Sequence, residues 1–333
     1  MSIIRDERES DYTMIGDEIM SEYNNPIVIE RADPWVYKHT DGYYYFTGSV
    51  PGYQSIELRR AKTLNELQDG EIKAVWHAHE EGPQSELVWA PEVHFINDKW
   101  YIYYAASNHP HIRDKDYHHN MFVIECEAAD PFEGEWVEKG MITTHQKSFA
   151  IDGTAFELNE KLYYVWCQLE PAITNNSNLY ISEMENPWTL KGKILLLSVP
   201  EFDWECEGFR VNEGAAAIVK DDKVIITYSA SATDHTYKMG MLWANTDADL
   251  LDGYSWHKSA EPVFVSSEEN SQFGPGHNSF TKDETGEHDL LVYHARPTMA
   301  NEGDPLNNPN RHARVQKFTW DENGLPVFGV PVK

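Results

Sequence analysis

The sequence has few cysteines: Cys126, Cys167 and Cys206 are the only three among 333 residues. They are widely spaced and odd in number, which excludes a disulfide framework and fits no zinc-ligand spacing. The N-terminal residues are charged and lack the apolar stretch of a secretion signal, and no run approaches the roughly 20 apolar residues that span a bilayer. We therefore expect a cytoplasmic protein with reduced thiols and no membrane partner.

Positive charge is also scarce. The chain has 27 Lys and Arg against 55 Asp and Glu, a formal net charge of −28 at pH 7. Such a surface repels the phosphates of nucleic acids and anionic lipids, so neither is expected as a partner. A neutral ligand fits better. The 11 Trp and 18 Tyr favour a sugar, because aromatic faces pack against sugar C–H groups, although most rings in any protein belong to its core.

Helical periodicity is nearly missing, and only residues 61–67 are predicted to form a turn or two of helix. Strand patterns dominate from residue 26 onward. Five units repeat the same order: a polar residue, a strand, a polar turn and a second strand rich in Tyr or β-branched residues. The leading residues are Asp33, Glu92, Asp152, Glu213 and His277, separated by 59, 60, 61 and 64 residues.

A near-constant period indicates a repeat architecture, and about 60 residues are enough for one four-stranded sheet. The predicted fold class is therefore all-β, a five-bladed β-propeller whose blades of four antiparallel strands surround a central axis. Residues 25–333 are expected to form this single domain, and residues 1–24 are expected to form an acidic leader that lies on its surface or frays. A strand pattern at residues 314–320 is expected to finish the fifth blade.

A propeller brings the five leading residues together, because the first strand of each blade lines the axis. Two carboxyl groups that flank a glycosidic bond can hydrolyse it: one donates a proton to the leaving oxygen, and the other activates water or attacks the sugar. A third carboxylate raises the pKa of the acid by repulsion between like charges. Carboxylates at strand starts commonly cap turns, but three of them at one phase of a repeat favour a functional site.

Several short motifs, in this order and at blade spacing, carry a resemblance to a known family. They are Arg31-Ala32-Asp33-Pro34, Trp89-Ala90-Pro91-Glu92, Ile151-Asp152-Gly153, Asn212-Glu213-Gly214, Gly276-His277-Asn278 and Tyr293-His294-Ala295-Arg296. Together they resemble family 43 of the glycoside hydrolases, which comprises five-bladed propeller arabinofuranosidases, β-xylosidases and arabinanases. The resemblance covers residues 25–333.

The resemblance implies an inverting mechanism with three assigned carboxyl groups. Asp33 would be the general base that activates water, and Glu213 the general acid. Asp152 would modulate the pKa of the acid and orient it. Inversion requires the base and the acid to lie about 6.5–9.5 Å apart. Positions on the first and fourth blades are compatible with this distance.

The resemblance also implies the surroundings of the sugar. Trp89, the backbone at Ala90, and Arg296 would bind substrate, with His94 and Trp35 as weaker candidates. His277 would contact a calcium or similar ion on the propeller axis through water, although no acidic motif here requires calcium. No cofactor is expected to be required for the chemistry.

Two other features suggest rival interpretations. Asp203-Trp204-Glu205-Cys206 is similar to the acid motif of fructan-cleaving propeller enzymes, but their nucleophile motif is missing here and Glu205 is out of phase with the repeat. A second segment is rich in potential metal ligands, with His109, His111, His118, His119, Asp114 and Asp116. Its spacing fits no standard site, so a solvated loop that walls the pocket is expected.

The pattern of residues 31–49 most resembles exo-acting α-L-arabinofuranosidases. The expected activity is release of terminal arabinose from arabino-oligosaccharides, in particular from α-1,5 linkages, and such oligosaccharides are the expected partners. The alternatives are a β-xylosidase, an arabinoxylan arabinofuranohydrolase, or a carbohydrate-binding propeller without catalysis, since fold alone does not give function. Association into a homo-oligomer is left open.

Overall fold

The computed structural model describes residues 23–110, 118–300 and 303–333. The proposed leader therefore lies outside the described residues except for its last two, and so do His111, Asp114 and Asp116 of the histidine-rich segment. Short 3-10 helices occur at Leu64–Asp69, Asp203–Glu205 and Gly253–Ser255, the first close to the expected helical turn. No helix among the described residues is long and apolar enough to cross a membrane.

Antiparallel strands, joined by turns and loops, dominate the rest of the described chain. In chain order they are β1 (Ala32–Lys38), β2 (Tyr44–Ser49), β3 (Ser55–Ala61), β4 (Glu71–His77), β5 (Glu86–Ile96), β6 (Lys99–Ser107), β7 (Asn120–Cys126), β8 (Val137–Met141), β9 (Ala150–Leu158), β10 (Lys161–Gln168), β11 (Asn178–Asn186), β12 (Thr189–Ser198), β13 (Asn212–Lys220), β14 (Lys223–Ala230), β15 (Lys238–Asn245), β16 (His257–Lys258), β17 (Phe273–Lys282), β18 (Asp289–Arg296), β19 (His312–Lys317), β20 (Thr319–Trp320) and β21 (Pro326–Val327).

These strands confirm the predicted five-bladed propeller. Four sheets have four strands each, in the order β1–β4, β5–β8, β9–β12 and β13–β16, and the fifth contains β17, β18 and β19. The inner strands β1, β5, β9, β13 and β17 each contact the next, and β17 contacts β1, which closes the ring. The strand expected at residues 314–320 corresponds to β19, the third strand of the fifth blade.

A short N-terminal segment completes the fifth blade. The backbone N–H groups of Ile27 and Val28 donate to the carbonyl of Ala313 in β19 at 2.9 and 3.4 Å, and Ala313 N–H donates to the carbonyl of Val28 at 2.9 Å. Val28 thus pairs antiparallel with the outer edge of the last blade. Because this edge would otherwise expose unpaired backbone groups, joining the two ends of the domain protects it and fixes the ring.

The core lies between neighbouring blades. Each apolar cluster combines residues of adjacent sheets, and rings such as Trp100 and Trp166 are completely buried in these clusters. Burial of a large apolar side chain stabilises a fold by about 1.5–3 kcal/mol. Rings buried in these clusters therefore hold neighbouring blades together.

Each inner strand begins with the same backbone irregularity, a residue in the left-handed region next to a shift in strand register. These residues are Asp33 (φ 56°), Ala90 (φ 46°), Asp152 (φ 53°), Gly214 (φ 55°) and His277 (φ 44°). In three blades the left-handed residue is therefore the leading polar residue of the sequence repeat. It differs in the other two, where Glu92 lies two residues beyond Ala90 and Glu213 one residue before Gly214.

Candidate active site

A cavity opens where the inner strands begin and where the loops leading into the third strands reach the axis. Its charged and titratable lining residues are Asp33, Asp152, Glu213, Tyr237, His277 and Arg311. Its apolar lining residues include Trp89, Phe149, Ile151, Phe209, Val211 and Leu306. The structure thus brings the three proposed catalytic carboxyl groups into one concave site, the usual setting for a ligand.

Asp33 is buried and held by hydrogen bonds and charges on both carboxylate oxygens. Ser49 donates a hydrogen bond to Oδ2 at 2.5 Å. His277 Nδ1 lies 3.2 Å from Oδ1, and Arg311 Nη1 lies 3.4 Å from the same oxygen. Ser49 in turn accepts a hydrogen bond from Ala90 N–H at 2.9 Å, so the second blade fixes the carboxylate of the first.

These contacts keep Asp33 ionised. Burial alone would raise its pKa, but His277, Arg311 and the Ser49 hydrogen bond together hold the pKa well below the usual range. The backbone N–H of Asp33 donates to His294 Nδ1 at 3.1 Å, so that nitrogen carries no proton. Burial lowers the pKa of His294 well below its usual value, which agrees with a neutral ring.

Glu213 has the opposite electrostatic environment. Burial raises its pKa to about 7 and the charge of Asp33 adds to the rise, while a hydrogen bond from Tyr237 and the charge of Arg311 oppose it. The Tyr237 hydroxyl donates to Glu213 Oε1 at 2.9 Å. A carboxyl group with this pKa keeps a proton near neutral pH, as a general acid requires.

Asp152 is linked to Glu213 by charge and through the backbone. Burial raises the pKa of Asp152 well above its usual value, and the charges of Glu213 and Asp33 raise it further. Its Oδ2 accepts a hydrogen bond from the N–H of Gly214 at 3.0 Å. The left-handed backbone of Gly214 favours glycine there, and a Cβ would lie 3.0 Å from the His277 ring. Asp152 therefore holds the backbone of Gly214, the residue next to Glu213, in place by a hydrogen bond.

His277 lines the cavity, and its two ring nitrogens have different surroundings. Nδ1 faces Asp33, while Nε2 is buried without a hydrogen-bond partner. No group of three or more His, Cys, Asp or Glu side chains in the described parts of the chain is arranged to hold a metal ion. Calcium usually takes six to eight oxygen ligands, so side chains here do not form a cage for it. An axial ion reached from Nε2 through water stays a prediction.

Of the predicted substrate-binding positions, Trp89 lines the cavity, and Ala90 follows it in the chain. Trp89 stacks on His119, with ring centroids 3.9 Å apart. Ala90 orders Ser49 through its backbone, as described above. Burial lowers the pKa of His119 to about 3, so its ring is neutral. His119 belongs to the histidine-rich segment and supports the cavity wall through Trp89, but it is fully buried rather than part of a solvated loop.

The other three predicted binding residues do not line the cavity. Arg296 is buried, and its guanidinium donates to the carbonyls of Thr233 at 3.1 Å and Pro305 at 2.7 Å. It therefore fastens loops behind the site, and Arg311 is the arginine that faces the cavity. His94 pairs with Glu92 at 3.0 Å between Nε2 and Oε2. Trp35 donates to the carbonyl of Val93 at 2.8 Å.

Glu205, the alternative acid, is fully buried away from the cavity. Lys258 Nζ lies 2.9 Å from its Oε1, and the same oxygen accepts hydrogen bonds from Tyr228 at 2.8 Å and Asn212 at 2.9 Å. Since Asn212 precedes Glu213, Glu205 supports the acid-bearing strand from behind. This placement agrees with its position outside the repeat.

Sequence reasoning missed Ser49, Tyr237 and Arg311. Tyr237 and Arg311 stand just before third strands, and Ser49 ends a second strand. In an antiparallel blade, the end of the second strand and the start of the third lie at the same edge as the start of the first. Polar residues at those boundaries were the signal that could have found them.

Comparisons with known proteins show what the chain is similar to. The chain is 48% identical over 310 residues to an extracellular exo-α-(1→5)-L-arabinofuranosidase of Streptomyces avermitilis, covering 93% of this chain and 64% of that protein. It therefore spans slightly less than two thirds of that relative. A protein of Streptomyces chartreusis with the same name is 46% identical, with 85% of each chain covered.

A solved structure is similar as well. An α-L-arabinofuranosidase from Lactobacillus brevis superposes with a TM-score of 0.91 at 54% identity, covering 93% of this chain and 97% of the other. The expectation of a cytoplasmic location is wrong by this comparison, because both Streptomyces relatives are named extracellular. Scarce cysteine and a charged N-terminal stretch were insufficient grounds for it.

The family itself follows from the sequence as a whole. The model of glycosyl hydrolases family 43 matches residues 23–326, which include all five blades and every carboxyl group of the cavity. The chain belongs to family 43 of the glycosyl hydrolases.

Proposed function

We propose that the chain is an inverting exo-α-L-arabinofuranosidase that releases terminal arabinose from α-1,5-linked arabino-oligosaccharides. One observation carries the chemical part: a single cavity holds an ionised carboxylate, Asp33, and a carboxyl group that is protonated near neutral pH, Glu213. Carboxyl groups with separated pKa values are the acid–base pair of glycoside hydrolysis. The names of the Streptomyces relatives support the linkage.

In the proposed reaction Asp33 takes a proton from a water molecule as the water oxygen attacks the anomeric carbon. Glu213 gives its proton to the glycosidic oxygen as the bond to the anomeric carbon breaks. The products are arabinose with inverted configuration and a shortened oligosaccharide. A proton lost by Asp33 and one gained by Glu213 restore the enzyme. No cofactor takes part.

The neighbouring residues position these two groups. Ser49 and His277 hold the Asp33 carboxylate on both oxygens. Asp152 orients the strand at Glu213 through Gly214 and shares its electrostatic environment. Arg311 lies against Asp33 with a guanidinium that can also donate to sugar hydroxyls. Trp89 offers an apolar face to the ring.

Product analysis tests the proposal. The chain is incubated with α-1,5-arabinobiose, α-1,5-arabinotriose and aryl α-L-arabinofuranoside, and the first-formed anomer is followed by proton NMR. We expect arabinose as the initial monosaccharide, appearing as the β anomer, and none from the Glu213→Gln variant with the natural disaccharide. Arabinosides left intact while aryl β-xyloside is cleaved would replace the proposal with a β-xylosidase, and sugar binding without any turnover would indicate a binding module.

A further inference from the structure

Phe209 is a large apolar side chain that remains 53% exposed and lines the catalytic cavity. A single exposed hydrophobic residue is ordinary on a protein surface and needs no explanation. Phe209 differs because its ring lies on the wall of a site whose other walls carry the catalytic carboxyl groups. Its exposure therefore leaves an apolar face available to a bound molecule.

The loop that carries Phe209 is fastened on one side by Glu207. The N–H of Glu207 donates to Ser231 Oγ at 3.0 Å, and its carbonyl accepts from Ala232 N–H at 2.8 Å. Its carboxylate also pairs with Lys238 at 2.8 Å. Three contacts to residues 231–238 thus fix the chain two residues before the ring.

The other side of the loop is fastened as well. The carbonyl of Arg210 accepts from Asn176 N–H at 2.9 Å, and Val211 forms a parallel bridge with Ser177. Between the two anchors, Gly208 has φ +78°, and a Cβ there would lie 2.8 Å from the Cβ of Ala232. Glycine permits this close approach, so the backbone presents Phe209 to the cavity in a fixed position.

The position of Phe209 in the chain places it on the side of the general acid. It precedes Glu213 by four residues, and Val211 between them lines the same cavity. Asp33 belongs to the first blade and Glu213 to the fourth. Because the acid must reach the oxygen of the bond that breaks, the sugar that leaves extends beyond Glu213, away from the water-activating Asp33.

We propose that Phe209 is the platform for the leaving-group sugar and determines the preference for an oligosaccharide over a substrate without that sugar. The C–H face of the second arabinose packs against the phenyl ring while its linking oxygen lies at Glu213. This inference rests on the proposed function and adds a specificity-determining residue to it.

The test compares two substrates that share the arabinosyl group but differ in what leaves. α-1,5-Arabinobiose releases a sugar, and α-L-arabinofuranosyl fluoride releases fluoride, which cannot use a platform. For Phe209→Ala we expect kcat/KM to fall about tenfold on arabinobiose, the size of a lost aromatic contact, and to stay within about twofold on the fluoride. Phe209→Trp should restore most of the loss on arabinobiose.

The matched control is Tyr254→Ala, since Tyr254 is 99% exposed outside the cavity; it should leave both substrates unaffected. Thermal unfolding of every variant checks that the loop change does not unfold the chain. Equal losses of Phe209→Ala on both substrates, or no loss on arabinobiose, would overturn the platform while the proposed function stands. A wild-type chain that cleaves neither substrate would overturn the proposed function and the platform with it.

Discussion

Tyr237 donates a hydrogen bond from its hydroxyl to Oε1 of Glu213 at 2.9 Å. The donor comes from the loop before β15 and the acceptor from the start of β13, so two parts of the fourth blade meet at the proposed general acid. A hydrogen bond donated to a carboxylate favours its ionised form and lowers the pKa. The structure thus contains a residue that restrains the pKa of Glu213 against the rise that burial causes.

Replacement of Tyr237 by Phe should therefore move the alkaline limb of the pH–rate profile to higher pH. Without the donor, the pKa of Glu213 rises above its present value of about 7, and the acid keeps its proton to higher pH. The profile of kcat/KM on arabinobiose measures the shift. Tyr293→Phe is the control, because Tyr293 is equally buried but donates to Gln316 at 2.9 Å in the fifth blade. A limb that moved downward would contradict the assignment.

Replacement of Ser49 by Ala should move the acid limb of the pH–rate profile to higher pH. The hydrogen bond to Asp33 Oδ2 lowers the pKa of the base, so its loss raises that pKa and protonates the base at a higher pH. The N–H of Ala90 also loses its acceptor, which costs about 1–3 kcal/mol of stability. Ser182→Ala removes a comparable buried hydroxyl bonded to the carbonyl of Lys193 at 3.0 Å. The control should lose stability without any shift of the acid limb, and a shift in both variants would refute the role of Ser49.

Replacement of Glu213 by Gln should change how stability depends on pH. In the folded wild type the pKa of Glu213 is raised from 4.5 to about 7, so its stabilising proton is fully present below pH 4.5 and is lost as pH rises through about 7. Glutamine stays neutral throughout. As pH rises from 5 to 8, the free energy of unfolding of the variant should therefore increase relative to that of the wild type, by on the order of 3 kcal/mol at most.

Urea denaturation at several pH values measures this difference, and it does so without any substrate. Glu170→Gln, at a carboxylate outside the cavity, is the control. A difference that stayed constant with pH would mean that Glu213 is ionised in the free protein across this range. It would then need substrate binding to acquire its proton.

The sequence predicted the inner half of this site because the repeat marks the start of each inner strand. Asp33, Asp152 and His277 stand at that start in both the sequence and the structure. Glu92 was assigned to the same phase, but the second blade has its left-handed residue at Ala90, so the carboxyl group of Glu92 is buried deeper, against His94. A one-dimensional pattern cannot reveal where a bulge shifts the register.

The outer half depends on contacts between distant segments. Arg311 lies 278 residues from Asp33 in the chain, yet its guanidinium reaches Asp33 across the ring closure. Arg296 had the stronger local motif, but it ends a second strand where backbone carbonyls of two loops surround its guanidinium. Which of two arginines faces a cavity depends on how loops pack, and no local pattern contains that information.

Lysine substitutions should separate the two arginines. Arg311→Lys removes a guanidinium that touches Asp33 and Tyr53 at the cavity, and we expect kcat/KM on arabinobiose to fall roughly 100-fold. Arg296→Lys loses donors to Thr233 and Pro305, so it should lower the melting temperature more than the rate. Kinetics and thermal unfolding of both variants decide the matter. The reverse pattern would return the substrate-binding role to Arg296.

Two substitutions of Asp152 should distinguish orientation from charge. Burial and the charge of Glu213 raise the pKa of Asp152 well above its usual value, which favours the neutral form of the group. Asn is also neutral and can still accept the hydrogen bond from Gly214, whereas Ala leaves that N–H without its acceptor. We therefore expect Asp152→Ala to lose at least tenfold more kcat/KM than Asp152→Asn, because only the alanine variant releases the strand at the general acid.

The alkaline limb of the pH–rate profile of Asp152→Asn shows whether Asp152 is charged during turnover. If Asp152 is neutral during turnover, its replacement by Asn removes no charge, and the limb set by Glu213 should stay near pH 7. Fluoride release from arabinofuranosyl fluoride, which needs little help from an acid, should be similar in both variants. A limb that moved to lower pH in Asp152→Asn would mean that Asp152 is ionised and maintains the proton on Glu213 by repulsion.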